Sequence, residues 1–247
     1  MTTYVFVGPT LPAARVAALA PGSVVRPPVA HGDLFRLGLG PGDTAIVVDG
    51  HHDHATAVRH REVLAALAAG VRVVGCAGLG ALWAAELRPF GMIGHGEVFR
   101  MYRDGVIHAD DEVAVAHGDG PDYRRTSEPL VNIRHTLGAA VAADVLTAPQ
   151  AAALLDAARA LPYHRRSWRA VERTCGGADL RGLREFLTAR PEHADRKAAD
   201  ASDTLARLTL LDRMVPPAPP VAADRATAHR ATPAPAPTPT RRTPSES

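Results

Sequence analysis

From Tyr4 to Leu87, short apolar runs alternate with stretches of helical spacing, and the alternation predicts strands and helices in turn. Residues 4–7 read as a strand closed by Gly8-Pro9, with a helix following over 11–19. Residues 23–26 form a weaker second strand, and 44–49, closed by Gly50, a strong third one. A helix over 57–69 places Val58, Val63, Leu64 and Leu67 near one face and stops at Gly70. Then come a strand over 71–74 and a helix over 81–87. Strands that alternate with helices predict right-handed crossovers. The fold class expected is therefore α/β, a mainly parallel sheet with helices on both faces.

Beyond Phe90 the pattern changes. Residues 90–123 are Gly-rich and irregular, with few strong helix signals. Helices are predicted over 128–144 and 148–161, with a short one over 165–172. A helical extension follows through 180–189 and 192–214. From Val215 the chain reads Pro-Pro-Ala-Pro-Pro and then Pro-Ala-Pro-Ala-Pro-Thr-Pro. Such a segment buries too little apolar surface to offset its ordering entropy and is expected to be disordered. The organisation expected is an α/β domain over 1–170, a helical extension over 171–214 and a disordered tail over 215–247.

Composition narrows the function classes. Hydrophobic residues make up 46% and charged residues 22%, as in ordinary globular proteins. The formal net charge is only +2. It resides in the last stretch, where Arg225, Arg230, Arg241 and Arg242 outnumber Asp224 and Glu246. Neither nucleic acid nor a membrane is expected as a partner on that charge. The N-terminus has no basic segment before its short apolar run, so neither a signal peptide nor a membrane span is expected. Cys76 and Cys175 are the two cysteines, in unlike surroundings, which fits a reducing cytoplasm better than a disulfide framework. Basic residues are nearly all arginine; Lys197 is the one lysine.

Ligands of open parallel sheets sit beyond the C-terminal strand ends. Three such ends carry chemistry here: Gly8-Pro9-Thr10, Asp49-Gly50-His51 and Gly75-Cys76-Ala77-Gly78. The small residues of the third let a ligand approach backbone N–H groups at a helix start, or simply let the helix pack on the sheet. The spacing is not that of a dinucleotide-binding loop, and no cofactor is expected. Cys76 is either a nucleophile activated by the helix N-terminus or an ordinary buried cysteine. His51, His52 and His54 with Asp53 hold either a metal, with partners from elsewhere, or nothing but solvent; no metal is assigned. His60 and Glu62 lie early in the next helix, where His60 can act as a base if it faces the crevice. Asp110, Asp111 and Glu112 form an acidic triplet before Val-Ala-Val, a cation or partner site or else a solvated turn into a strand.

Together these phrases resemble the TfuA-like family. The matching text is Phe6-Val-Gly-Pro-Thr-Leu11, Val58-x-His-x-Glu62 and Gly80-Ala-Leu-x-Ala-Ala-Glu-Leu87, then Phe90-Gly-Met and Asp110-Asp-Glu-Val-Ala-Val115. Ser127-Glu-Pro-Leu-Val-Asn-Ile-Arg134 with Thr136-Leu137, and Tyr163-x-x-Arg-x-Trp168, continue it. Asp195-Arg-Lys-Ala-Ala-Asp-Ala201 resembles a motif that some members carry near their C-termini. The resemblance implies work beside a YcaO-type enzyme in backbone thioamidation, with recruitment of a thiocarboxylated ubiquitin-like sulfur carrier and hydrolytic release of its sulfur. By that likeness Thr10, Asp49, Gly78, Gly80, Glu86, Asp110, Asp111, Glu112, Glu128, Asn132 and Arg134 are expected to bind substrate. The polar motif residues from Asp110 to Arg134 are expected to gather near the C-terminal sheet edge. Family members usually read Ser-Ser-Met-Gly-Ala-Leu-Arg where this chain has Ala77-Gly78-Leu79-Gly80-Ala81-Leu82-Trp83. Three readings follow: a chemistry shifted to Cys76, water activated by His60 or Glu62, or an adaptor that performs no hydrolysis.

Overall fold

A computed structural model describes residues 1–51, 60–118, 120 and 122–208 of the chain. The elements run β1 (Thr3–Phe6), α1 (Ala13–Leu19), β2 (Val24–Arg26), α2 (Asp33–Arg36), β3 (Thr44–Val47), α3 (His60–Ala68), β4 (Arg72–Cys76), α4 (Leu79–Leu87), β5 (Ile93–His95) and α5 (Glu97–Arg103). They continue as α6 (Leu130–Ala142), α7 (Ala148–Arg159), α8 (Trp168–Thr174), α9 (Arg181–Ala189) and α10 (Arg196–Ala206). The strands form one five-stranded sheet in the order β2-β1-β3-β4-β5. Every pairing is parallel, with Val5 opposite both Val25 and Ile46, and Val47 opposite Gly75.

Both sheet faces are covered, which is why the central strands read as unbroken apolar runs. Phe6, Ala45, Val47 and Val73 turn to one face and pack with Val63, Leu67, Ala84, Val98 and Phe99 of α3, α4 and α5. Val5, Ile46, Val48, Val74 and Cys76 turn to the other, against Val16 of α1 and Ala201 and Leu205 of α10. The C-terminal extension thus supplies part of the sheet's second layer. A separate cluster joins α6 to α9 through Ile133, Leu137, Leu154, Val171, Leu183 and Phe186.

Two elements within 90–123 differ from the sequence reading. β5 is only Ile-Gly-His, and a Cβ at Gly94 would lie 2.0 Å from the Phe99 ring, so this strand has no room for a second apolar side chain. α5 then follows Gly96, whose φ is +96°. The acidic triplet Asp110–Glu112 forms one turn of 3-10 helix, and Val113–Val115 continue it without strand pairing. Among the described residues no helix is long and apolar enough to cross a membrane. The expected disordered tail, like the first residues of the helix expected over 57–69, falls outside the described residues.

Candidate functional site

In this strand order the chain moves outward from β1 to β2 and then crosses back to β3, so the loops after β1 and β3 diverge and leave a crevice between them. Val48 N and Asp49 N both donate to Phe6 O, at 3.0 and 3.1 Å, which carries the chain past β3 and aims Asp49 toward the loop after β1. There its carboxylate accepts from Gly8 N (3.0 Å), Thr10 N (3.0 Å) and Thr10 Oγ1 (2.6 Å). Asp49 and Thr10 are both buried. A buried carboxylate needs such donors, because burial without them drives it neutral.

The fourth partner comes from the far end of the chain. Lys197 Nζ lies 3.5 Å from Asp49 Oδ1 and donates to Val113 O at 3.0 Å, with its side chain 3% exposed. Four hydrogen bonds and an apolar seam hold α10 so that Lys197 reaches this point. Lys197 N donates to Asn132 Oδ1 (3.1 Å), while Asn132 Nδ2 donates to Asp195 Oδ1, which also caps α10 through Ala198 N. Asp200 Oδ2 accepts from Val98 N at the start of α5 (2.7 Å), and Ala201 and Leu205 seal the helix to the sheet. A cavity of about 300 Å³ opens above the pair, lined by Asp49, Lys197, His51, Leu79, His117 and Tyr163 among others.

Gly78 lies against the Asp49–Lys197 pair. A Cβ there would lie 2.5 Å from Val48 O, 2.8 Å from Asp49 Oδ1 and 3.4 Å from Lys197 Nζ. Its missing side chain lets the start of α4 approach the pair. A serine introduced at this position would displace backbone instead of adding a free hydroxyl. Ala77, just before it, holds a left-handed φ of +59° and is fully buried, as the sharp passage from β4 into α4 requires. Gly80 is a packing residue: a Cβ on it would lie 1.8 Å from Val47 O, so α4 sits directly on β3.

The remaining expected site residues fall into four places. Cys76 is fully buried on the second face beside Thr204, and burial pushes its thiol up to about 12. A thiol so placed is neutral at pH 7 and does not open into the cavity. In the folded protein a small alkylating reagent should therefore label Cys175, and Cys76 only after denaturant is added; labelling of both at equal rates would show the β4–α10 seam to be open. His60 and Glu86 pair with each other at 3.0 Å on α3 and α4, both about half exposed and away from the cavity lining. Glu62 is buried, with Oε2 accepting from Gly32 N at 2.8 Å; among the described residues its Oε1 has no hydrogen-bond partner.

The motif residues from Asp110 to Arg134 form a connected polar scaffold. Arg134 holds Glu112 through two bonds of 2.8 and 2.6 Å. Asp111, next to Asp110 in the 3-10 turn, accepts from Arg166 at 2.6 Å. Arg125 joins Glu128 (3.5 Å) to Asp195 (2.6 Å) and so to Asn132. Burial shifts the Glu128 carboxyl upward. Only Asn132 of this set touches Lys197 directly; the others hold α6, the 3-10 turn and the α10 start in place. Lys197 itself escaped assignment from the sequence. Its signal was its solitude, one lysine in a chain whose other cations are arginines.

The fold and the crevice define an open α/β protein with a small cavity, lined in part by Asp49 and Lys197, at its topological switch point. Residues 49–167 match the family described as TfuA-like protein, and over that stretch the chain is TfuA-like. The match begins at Asp49 and includes Gly78, Asn132 and Tyr163, while Thr10 and Lys197 join the same site from outside it. Comparison with curated proteins gives no match.

Proposed function

We propose that this protein is a cytoplasmic accessory of peptide or protein backbone thioamidation. It recruits a ubiquitin-like carrier bearing a C-terminal thiocarboxylate and releases its sulfur to a YcaO-type enzyme. The observation that carries this reading is the cavity beside Asp49, most of whose lining residues lie in the stretch 49–167 that matches the TfuA-like family. At about 300 Å³ it stands at the small end of ligand pockets, roughly 300–1,000 Å³. That size suits the extended end of a chain, with the folded part of the carrier left outside. In the reaction, water adds to the thioacyl carbon and the C–S bond breaks with its electron pair on sulfur; one of the two water protons ends on sulfur as hydrosulfide, the other passes to solvent, and the carrier's terminus is left as a carboxylate.

A second reading, an adaptor that stimulates the YcaO-type partner without hydrolysis, is favoured by one feature. Ala77 and Gly78 bring no hydroxyl to the β4–α4 turn. Incubation of the purified protein with thiocarboxylated carrier should convert the carrier's terminus to a carboxylate, read by intact-protein mass, and Cys76→Ala should leave that conversion unchanged. An unconverted carrier, with stimulation of the YcaO-type partner by this protein and free sulfide, would establish the adaptor instead. Failure in both assays would remove thioamidation from consideration.

A further inference from the structure

The Asp49–Lys197 contact is unequal. Asp49 has its oxygens occupied by Gly8 N, Thr10 N and Thr10 Oγ1, all at 3.0 Å or less, whereas Lys197 stands 3.5 Å away. An ammonium carries three N–H donors. Val113 O takes one at 3.0 Å and Asp49 stands in the direction of a second, which leaves a third for the cavity that Lys197 lines. Asp49 balances the charge of this 3% exposed cation, but closer donors take up its oxygens, so the ammonium at the edge of the cavity keeps a donor that an anionic ligand can accept. The protein also spends structure on holding it there: Asn132, Asp195 and Asp200 all fix the helix that presents it.

We propose that Lys197 is the cation of an anion-binding site in this cavity, built to receive the terminal thiocarboxylate or carboxylate of a small-residue chain end. This inference rests on the proposed function for the identity of the ligand, although the anion site stands on the geometry alone. The walls favour a chain end of that kind. Pro9, Leu79 and Val113–Ala116 line the cavity beside the charge, and its volume of about 300 Å³ suits a chain end without bulky side chains. A charge-assisted hydrogen bond to Lys197 distinguishes an anionic terminus from a carboxamide of the same shape.

The single lysine makes the test direct. With lysine labelled by ¹³C at Cε, the full chain gives one lysine signal, that of Lys197. Synthetic peptides ending in Gly-Gly-thiocarboxylate, Gly-Gly-carboxylate and Gly-Gly-carboxamide are titrated against it. The two anionic peptides should move the signal saturably and bind about ten-fold or more tightly than the carboxamide, the scale of one charged hydrogen bond. A larger effect from the thiocarboxylate than from the carboxylate identifies substrate over product. Lys197→Met should abolish the preference and Lys197→Arg retain part of it, each checked for folding by its melting curve; the wild-type titration needs neither variant.

Saturable binding that leaves the lysine signal still, equal binding of the carboxamide, or no binding at all would overturn the inference. The two readings fail separately. A carrier converted by a protein whose lysine signal never moves preserves the function and removes Lys197. A lysine that responds to anionic peptides in a protein inert toward the carrier and the YcaO-type partner preserves the anion site and removes the function.

Discussion

Asp49→Asn should be among the most damaging single changes in this protein, lowering stability by about 3–5 kcal/mol, the scale for removing one partner of a buried charge pair. The replacement keeps the shape and one acceptor. It also places an amide N–H₂ either against Gly8 N and Thr10 N, which donate to Oδ2 in the native protein, or at Oδ1 against the Thr10 hydroxyl and the Lys197 ammonium. Lys197 is then left buried with Val113 O as its remaining partner of the two. For a domain of about 150–250 residues such a loss lowers the melting temperature by roughly 6–20 °C. The double variant Asp49→Asn with Lys197→Met should recover part of the loss, because the stranded charge is gone, although the mismatched donors of the β1 loop remain. A double variant whose losses simply add would show that the two side chains are not coupled in the folded state.

Arg166→Met should have an effect of comparable size by a different route. Arg166 is wholly buried, and its guanidinium donates to Ala158 O (3.0 Å), Leu161 O (3.0 Å), Asp111 O (3.3 Å) and Asp111 Oδ2 (2.6 Å). It ties the end of α7 to the 3-10 turn that leads into Val113, the residue whose carbonyl receives Lys197. Methionine fills much of the volume and returns none of the bonds. Asp111 is partly exposed and can turn to water, but the α7-end carbonyls lose a buried donor, so a loss of about 3–5 kcal/mol is expected. Unlike Asp49→Asn, this change should leave the cavity's ligand preference intact at temperatures where the variant stays folded. A variant as stable as the parent would mean that water replaces the guanidinium. Lost ligand preference in a fully folded variant would mean that Arg166 serves the site through Val113.

Asp49 and Lys197 also explain why the sequence revealed one half of the site and concealed the other. Asp49 follows a strong apolar strand and precedes Gly50, so the rule that ligands gather beyond parallel strand ends marks it directly. Lys197 sits in a helix far along the chain, in the expected extension, where nothing in local spacing connects it to β3. Cys76 left two readings open, an activated nucleophile or an ordinary buried cysteine, and strand alternation turns it away from the crevice into the face that α10 covers. His60 and Glu62 likewise lie on the helix after β3 and point to other partners, Glu86 and Gly32 N.

The sequence by itself determined the layer order of this protein. Local apolar periodicity is set by whether a segment is buried on two faces or one, and that property survives in the text whatever the segment packs against. It marked β1 to β4, helices α1 and α3 between them, α4 and the α6–α9 group; it missed α2 and α5, and β5, where closeness to Phe99 leaves glycine in place of a patterned side chain. The tertiary structure alone decided which polar residues meet. Pairings such as Asp49 with Lys197, Arg134 with Glu112 and Arg166 with Asp111 join segments distant in sequence, and no local spacing says which charge meets which. Their burial follows from how α6 and α10 settle on the sheet. That placement comes from the sum of many small apolar contacts, and no single stretch of sequence encodes it.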